Sequence, residues 1–176
     1  MVKEIARTVE IPEGVAVTID GNTVTVKGPK GEVSRQLSYP EIEIKNEESQ
    51  LIVNSRLDRK QHRAMVGTLA AHISNMIAGV SRGYEYKMKV VYSHFPIQLK
   101  EASNELIITN FLGERKSRSA KILPGAKVEI GKDEVTITGI DKERVGQTMA
   151  NIEQATRVRG FDIRIFQDGI YLVDKR

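Results

Sequence analysis

The sequence predicts an α+β fold of two duplicated modules, in each of which an antiparallel β-sheet is packed on one face by an α-helix. Three features of the 176 residues support this prediction. Short apolar–polar–apolar triplets have the period of two that is typical of half-buried strands, two stretches have the apolar spacing of amphipathic helices, and the order of these elements occurs twice. A chain of this length is long enough for two small cores. We therefore expect a first module at residues 1–80 and a second at residues 81–176.

The first module contains four strand-like triplets before its helix, at residues 17–19, 24–26, 42–44 and 51–53. Gly21 and Asn22 lie between the first two triplets, and both residue types tolerate the positive φ angles of a tight hairpin turn. Polar residues 46–49 separate the last two triplets. We therefore expect this part of the chain to form hairpins.

The second module repeats this order, with triplets at residues 97–99, 106–108, 128–130 and 135–137. The offset between the two halves varies from about 79 to 86 residues, as insertions in loops would cause. A gapless alternative aligns residues 14–28 with residues 125–139. The colinear alignment is preferred because it also brings the two helices into register.

Each helix is predicted to begin at an aspartate, Asp58 or Asp141, whose carboxylate can accept hydrogen bonds from the first free amides of the helix. Gly79 and Gly83 predict the end of the first helix, with a linker at residues 78–82. Apolar residues recur at helical spacing, in the first helix at Met65, Leu69, Ile73, Met76 and Ile77 and in the second at Val145, Met149 and Ile152.

The net positive charge of the chain comes from its second half. Residues 1–80 carry ten Lys and Arg against ten Asp and Glu, whereas residues 81–176 carry seventeen against thirteen, which accounts for the net charge of +4. Such an excess on one module suggests that this module faces a polyanion. A random asymmetry of charge explains the excess equally well when it is taken alone.

The sequence gives no positive support for catalysis. Cysteine is absent, which excludes disulfides, thiolate nucleophiles and cysteine-based metal sites. Asp58 and His62 are four residues apart on the first helix, and a surface ion pair explains this spacing better than a catalytic pair. No metal-ligand spacing is present, so we expect no enzyme activity, no metal and no cofactor. No apolar run approaches the roughly 18 residues that span a bilayer, and the first residues lack a signal-peptide block, so we expect a cytoplasmic protein without membrane contact.

Basic clusters are the best candidates for a binding site, because arginine and lysine neutralise phosphates and arginine does so with a planar fork. The cluster Arg56, Arg59, Lys60 and Arg63 of the first helix is equally well explained as a solvated face. Aromatic content is 5%, so contacts to the backbone and the groove shape of folded RNA are expected rather than base stacking. The predicted RNA-binding residues are Arg115, Lys116, Arg118, Lys121, Arg157, Arg159, Arg164, Lys175 and Arg176.

The end of the chain combines an arginine, two aromatic residues and an Asp-Gly turn within residues 164–172, which we interpret as a compact basic C-terminal arm. Asp168 and Gly169 would set the direction of this arm. Phe166 and Tyr171 would attach it to the second module or stack on sugars.

The order of the repeats and several motifs together resemble the ribosomal large-subunit protein six family. The opening Ile-Pro-Glu-Gly-Val at residues 11–15, the hairpin at 21–28 and Gly-Glu-Val at 31–33 fit this family, and the ending at residues 154–171 resembles its archaeal and eukaryotic branch. One departure is Phe161, where many relatives are expected to carry lysine, which lowers the charge of the arm. The resemblance extends over essentially the whole chain.

The resemblance implies a structural, non-catalytic protein of the large ribosomal subunit. It implies binding to large-subunit (23S-type) rRNA near the stalk base and the factor-binding region, close to the sarcin–ricin loop and mainly through the second module. It also implies neighbouring large-subunit ribosomal proteins as partners and a monomer within the cytoplasmic ribosome. The alternative is a protein-binding adaptor that pairs its exposed strand edges with strands of a partner.

Overall fold

The computed structural model describes residues 5–47 and 49–176. The chain divides into two compact units, of which one ends at Gly83 and the other begins at Tyr84. Residues 81–83 therefore belong to the first unit, although we expected the second module to begin at residue 81.

The first unit has two three-stranded antiparallel sheets and one helix. The strand orders are β1-β6-β5 and β2-β3-β4. Its core is formed by alternate residues of the strands, such as Val24, Val26, Leu51 and Val53, packed against the apolar face of the helix. The elements are β1 (Ile5–Glu10), β2 (Ala16–Asp20), β3 (Thr23–Gly28), β4 (Gly31–Gln36), β5 (Ile42–Glu47), β6 (Gln50–Ser55) and α1 (Lys60–Ser81).

Helix α1 departs from the predicted boundaries at both ends. Its N-cap is Arg59 rather than Asp58, and no side chain caps it. The Asp58 carboxylate instead accepts hydrogen bonds of 2.5 and 2.8 Å from Arg63. The expected linker at residues 78–82 is also wrong, because the helix continues to Ser81. The Lys30 amide donates to the Val80 carbonyl at 2.9 Å, so the turn after β3 provides a hydrogen-bond donor for a carbonyl near the C-terminal end of this helix.

By length and composition α1 could cross a membrane, with a mean hydropathy of 1.2 over an 18-residue window, contrary to the expectation that no stretch approaches that length. The helix nevertheless buries Val66, Leu69, Ile73 and Ile77 in the core of its unit. Its apolar character is therefore explained by packing on the sheets.

The second unit has a four-stranded sheet, β11-β12-β7-β13, a three-stranded sheet, β10-β9-β8, and one helix. Asp141 is the N-cap of this helix as predicted, and its carboxylate accepts a 2.9 Å hydrogen bond from the Glu143 amide. The elements are β7 (Tyr84–Val91), β8 (Gln98–Ala102), β9 (Glu105–Thr109), β10 (Arg118–Lys121), β11 (Ala126–Ile130), β12 (Glu134–Gly139), α2 (Lys142–Ala155) and β13 (Gly169–Lys175).

The two units repeat one arrangement, which confirms the predicted duplicated α+β fold. The sheet β1-β6-β5 corresponds to β7-β12-β11, and β2-β3-β4 corresponds to β8-β9-β10. Each unit thus has two sheets where we expected one, because triplet spacing reveals strands but not which edges pair. Strand β13 is an addition to the second unit, and it incorporates residues 169–172 of the predicted C-terminal arm into the sheet.

Candidate nucleic-acid interface

Three loops of the second unit meet beyond the end of the β7–β13 pair. The Ser93 amide donates to Asp168 Oδ1 at 3.3 Å, which joins the loop after β7 to the segment before β13. Asn110 Nδ2 donates to the Pro96 carbonyl at 3.1 Å, which joins the loop after β7 to the loop after β9. We call these segments the β7–β8 loop (residues 92–97), the β9–β10 loop (residues 110–117) and the α2–β13 loop (residues 157–168).

The β9–β10 loop has an unusual backbone. Asn110, Leu112 and Gly113 have positive φ angles of 60°, 51° and 73°. A left-handed conformation is costly for a leucine and is kept only where the surroundings impose it. Here Phe111 and Leu112 are buried, so the core of the unit holds the loop in place. The exposed pair Arg115 and Lys116 follows directly and is presented from a fixed base.

Arg118, a predicted phosphate ligand, is engaged inside the unit. Its Nε and Nη2 atoms donate to the two carboxylate oxygens of Glu114 at 2.9 and 2.6 Å. Its Nη1 atom donates to the carbonyls of Ala155 and Arg157, both at 2.9 Å. The guanidinium also lies 4.3 Å from the ring centroid of Phe111. The hydrogen bond from Arg118, assisted by its charge, holds the pKa of Glu114 below its ordinary value of 4.5, against a smaller opposing effect of desolvation.

The α2–β13 loop forms one tight turn around Asp162. The Asp162 carboxylate accepts a hydrogen bond of 2.9 Å from the Arg164 amide, and its carbonyl accepts one of 2.9 Å from the Phe166 amide. The Arg164 side chain projects from this turn and is 91% exposed to solvent. Arg157 and Arg159 are exposed earlier in the same loop. Three arginines of one loop therefore face outward.

The residues predicted to position the arm all make contacts at the end of this loop. Asp168 is buried, and its Oδ2 atom has no hydrogen-bond partner among the described residues. The Tyr171 hydroxyl lies 3.2 and 3.3 Å from the carbonyls of Gln167 and Asp168 and donates toward them. A Cβ atom on Gly169 would come within 2.9 Å of the Tyr171 ring, so a glycine permits this close approach. The ring of Phe166 packs against its neighbours in the same unit.

The structure does not bring all nine predicted residues together. Strand β13 runs away from the loops. At the usual rise per residue of a strand, Lys175 and Arg176 lie about 20 Å from the beginning of β13. Lys175 lies over the ring of Tyr86, and Arg176 pairs with Asp174 at 3.1 Å. Lys121 is at the far end of β10, next to the turn that precedes β9. Arg115, Lys116, Arg157, Arg159 and Arg164 remain on the loops.

The outward face of the four-stranded sheet is charge-balanced. Lys89 lies opposite Glu134, and Lys87 lies opposite Asp174 in the strand register. Opposite charges at facing positions stabilise a sheet and cancel its field. The excess positive charge of the unit is therefore a property of its loops rather than of this sheet face.

The basic cluster of the first unit is partly neutralised by carboxylates. Arg56 pairs with Glu43 at 2.8 Å, and Arg63 pairs with Asp58. The hydrogen bond from Arg63 to Asp58, followed by their charge attraction, raises the pKa of Arg63. The predicted surface pairing of Asp58 with His62 is wrong, because His62 is buried with its ring 5.6 Å from that of Tyr39.

Residues 5–47 and 49–176 contain no group of three or more histidine, aspartate or glutamate residues that could hold a metal ion. The arrangement that stands out is the set of exposed cations on converging loops, which suits a polyanion.

Comparison with known proteins supports the resemblance that the motifs indicated. The sequence profile of the family described as Ribosomal protein L6 matches residues 11–83 and 95–169, one segment in each unit. The chain is 65% identical to the Large ribosomal subunit protein uL6 of Methanothrix thermoacetophila over 176 residues, which is 100% of both chains. It is 55% identical to the protein of the same name from Methanosarcina mazei over 99% of both chains. The counterpart from Methanobrevibacter smithii is also 55% identical, over 97% of this chain and 96% of the relative. These matches confirm the expected family, and the chain therefore belongs to the ribosomal protein L6 family.

Proposed function

We propose that this protein is a non-catalytic, structural constituent of the large subunit of the cytoplasmic ribosome. The name of its relatives, Large ribosomal subunit protein uL6, supports this role. Its partners are then large-subunit rRNA and neighbouring large-subunit ribosomal proteins, with one copy of the chain per ribosome. The family resemblance favours a position near the stalk base and the factor-binding region.

The second unit, residues 84–176, is the proposed rRNA-binding unit. The observation that carries this proposal is the convergence of two exposed basic loops, the β9–β10 loop and the α2–β13 loop, on the β7–β8 loop. Together they present five arginine and lysine side chains to one partner. Neutralising phosphates releases condensed counterions, which drives binding and makes it depend on salt. The five proposed phosphate ligands are Arg115, Lys116, Arg157, Arg159 and Arg164.

The other predicted residues have different proposed roles. Arg118 positions the loops, since four hydrogen bonds to Glu114, Ala155 and Arg157 occupy its guanidinium. Lys121, Lys175 and Arg176 would contact rRNA at points separate from the loops. Phe166, Asp168, Gly169 and Tyr171 fix the path of the α2–β13 loop into β13.

A second candidate function is protein binding by the first unit. Its two sheets end in the edge strands β1, β5, β2 and β4, whose outer hydrogen-bonding groups can pair with a partner strand. Its equal numbers of acidic and basic residues over residues 1–80 give it no electrostatic preference for RNA. This adaptor role can coexist with rRNA binding by the second unit.

A salt titration of the full-length protein on large-subunit rRNA tests the proposed interface. The triple variant Arg157→Gln, Arg159→Gln, Arg164→Gln is compared with Arg56→Gln, Arg59→Gln, Lys60→Gln, which removes the same charge from the first unit. The slope of log K against log salt should fall by roughly 0.7–0.9 for each lost phosphate contact in the first variant only. Equal effects of the two variants would refute a defined site. Salt-insensitive binding that neither variant changes would instead favour the adaptor.

A further inference from the structure

A row of aromatic rings lies beside the exposed arginines of the α2–β13 loop. The ring of Phe166 is half-buried, with centroids 4.8 Å from that of Phe161 and 5.4 Å from that of His94. The ring planes are tilted by 48° and 38°. The rings come from the β7–β8 loop and the α2–β13 loop, which the Ser93–Asp168 hydrogen bond ties together. We call Phe161, Phe166 and His94 the aromatic row.

The outer member of this row is open. Phe161 is 47% exposed although Phe166 covers part of its ring. A phenylalanine exposed to this extent keeps apolar surface in water that a flat partner could remove from it. The ring of Phe166 packs against the ring of Phe161 and limits the positions that the Phe161 ring can take. A preorganised ring loses less conformational entropy when a second ring stacks on it.

The charges around the aromatic row indicate which kind of planar group would stack on Phe161. Phe161 is flanked in sequence by Arg159 and Arg164, both exposed, and one acidic residue, Asp162, lies between them with its carboxylate engaged in the turn. A protein aromatic side chain would gain only a cation–π contact from these cations and would bring no phosphate for them to bind. A nucleotide within an RNA strand has a backbone phosphate on each side of its base, so stacking and phosphate contacts can form together.

We propose that the aromatic row is a stacking site for one unpaired RNA base, received on Phe161, while Arg159 and Arg164 contact its flanking phosphates. This inference rests on the proposed function and adds to it a local preference for an extruded or bulged nucleotide over a fully paired helix. It differs from the expectation of backbone and groove contacts alone, which the low aromatic content suggested. The phenylalanine and tyrosine side chains are few, but two of them lie together with the ring of His94 at one place.

Three RNA hairpins of one sequence test the proposal by fluorescence anisotropy with the full-length protein at one fixed, low salt concentration. The first stem is fully paired, the second has a single bulged adenosine, and the third has an abasic bulge with the same backbone. We expect the bulged-adenosine hairpin to bind about tenfold more tightly than the abasic one, the size usual for stacking one base on an aromatic ring. The abasic and paired hairpins should bind alike.

Two substitutions at one position separate stacking from charge. Phe161→Leu keeps apolar volume without an aromatic face, and it should reduce the tenfold preference to about onefold while affinity for the paired hairpin is unchanged. Phe161→Lys adds a cation, so it should tighten binding to all three hairpins and abolish the preference. A circular dichroism melt of each variant confirms that the fold is retained.

The outcomes that overturn the proposal are distinct from those that overturn rRNA binding. Equal affinity for the adenosine and abasic bulges in the unsubstituted protein would refute the stacking site and leave phosphate binding intact. A preference that persists in Phe161→Leu would mean that the base contacts another group of the protein, and it would refute the role of Phe161. Failure to bind all three hairpins and also large-subunit rRNA in the salt titration would refute both the stacking site and rRNA binding.

Discussion

The guanidinium of Arg118 binds the carboxylate of Glu114 through two hydrogen bonds of 2.6 and 2.9 Å. The remaining nitrogen of Arg118 donates to the carbonyls of Ala155, the last residue of α2, and Arg157, so the pair connects β10 to the start of the α2–β13 loop. Carbonyls at the C-terminus of a helix lack intrahelical partners and carry partial negative charge, which a cation compensates. A single ion pair therefore fixes the relative position of the two loops that carry the exposed cations.

We predict that Arg118→Met destabilises the protein by about 2–3 kcal/mol, because it removes charge-assisted hydrogen bonds and leaves two carbonyls and one carboxylate without this donor. The side chain is 21% exposed, so water can replace part of the loss. Equilibrium denaturation in urea measures the effect. The matched control is Arg115→Met in the same loop, which is exposed and should change the free energy of unfolding by less than about 0.5 kcal/mol.

The same variant distinguishes a positioning residue from a phosphate ligand. If Arg118 only positions the loops, Arg118→Met should weaken rRNA binding while the slope of log K against log salt stays unchanged. Arg118→Lys should behave similarly, since one ammonium cannot reproduce the planar fork. A slope reduced by roughly 0.7–0.9 without any loss of stability would show that Arg118 contacts phosphate directly.

Glu114 gives the protein a specific sensitivity to acid. The hydrogen bond from Arg118 lowers the pKa of Glu114 in the folded state. A carboxylate of this kind stabilises the folded state above its unfolded pKa, and the contribution is lost as the pH falls through the folded value. We therefore expect the stability difference between the unsubstituted protein and Glu114→Gln to be constant near neutral pH and to shrink below the ordinary value of 4.5. Thermal melts of both proteins from pH 7 to pH 3 measure it, and a difference independent of pH would contradict the prediction.

Two buried threonines in and after α2 connect this part of the second unit to β13 and to the segment between β10 and β11. The Thr156 hydroxyl accepts a hydrogen bond of 3.1 Å from the Ile170 amide at the start of β13 and donates to the Ile152 carbonyl at 3.2 Å. Thr148 accepts from the Leu123 amide at 3.1 Å. Both side chains are buried, so water cannot replace these bonds readily.

We predict that Thr156→Val lowers the free energy of unfolding by about 1–3 kcal/mol, because the shape is retained while a buried amide loses its acceptor. Thr156→Ser keeps the hydroxyl and serves as the control, with a smaller loss from the missing methyl group. Urea denaturation measures both. A valine variant as stable as the serine variant would mean that the Ile170 amide finds another acceptor.

The elements of this fold were predictable where local chemistry decides them. Gly21 and Asn22 identified a hairpin, and Asp141 identified a helix start, since each acts through its own backbone or the next few amides. Asp58 has the same chemistry but lies near Arg63, whose bidentate pairing takes its carboxylate away from the helix amides. Competition of this kind depends on side-chain geometry and has no signature in the sequence.

The residue types of the candidate site were predictable from the sequence, but the positions of these residues in the fold were not. Nine basic residues were identified, but Arg118 binds groups inside its own unit, and Lys175 and Arg176 lie at the end of β13, away from the loops. The sequence shows which residues are charged but not where their side chains point. The aromatic row was missed because Phe161 and His94 are far apart in the chain. The signal that could have found it is the Asp162 turn, which brings Phe166 back beside Phe161.

Arg164 provides the most direct test of the proposed rRNA contact. Its side chain is 91% exposed, and its distance to the Asp162 carboxylate is 4.0 Å, so little of the folded unit depends on it. We expect Arg164→Ala to leave the melting temperature almost unchanged and to weaken rRNA binding, with a salt slope reduced by roughly 0.7–0.9. The core variant Ile170→Ala, which removes a fully buried side chain, gives the reference for a structural loss. If Arg164→Ala lowered the melting temperature as much as Ile170→Ala does, Arg164 would be a structural residue of the α2–β13 loop and not a ligand of phosphate.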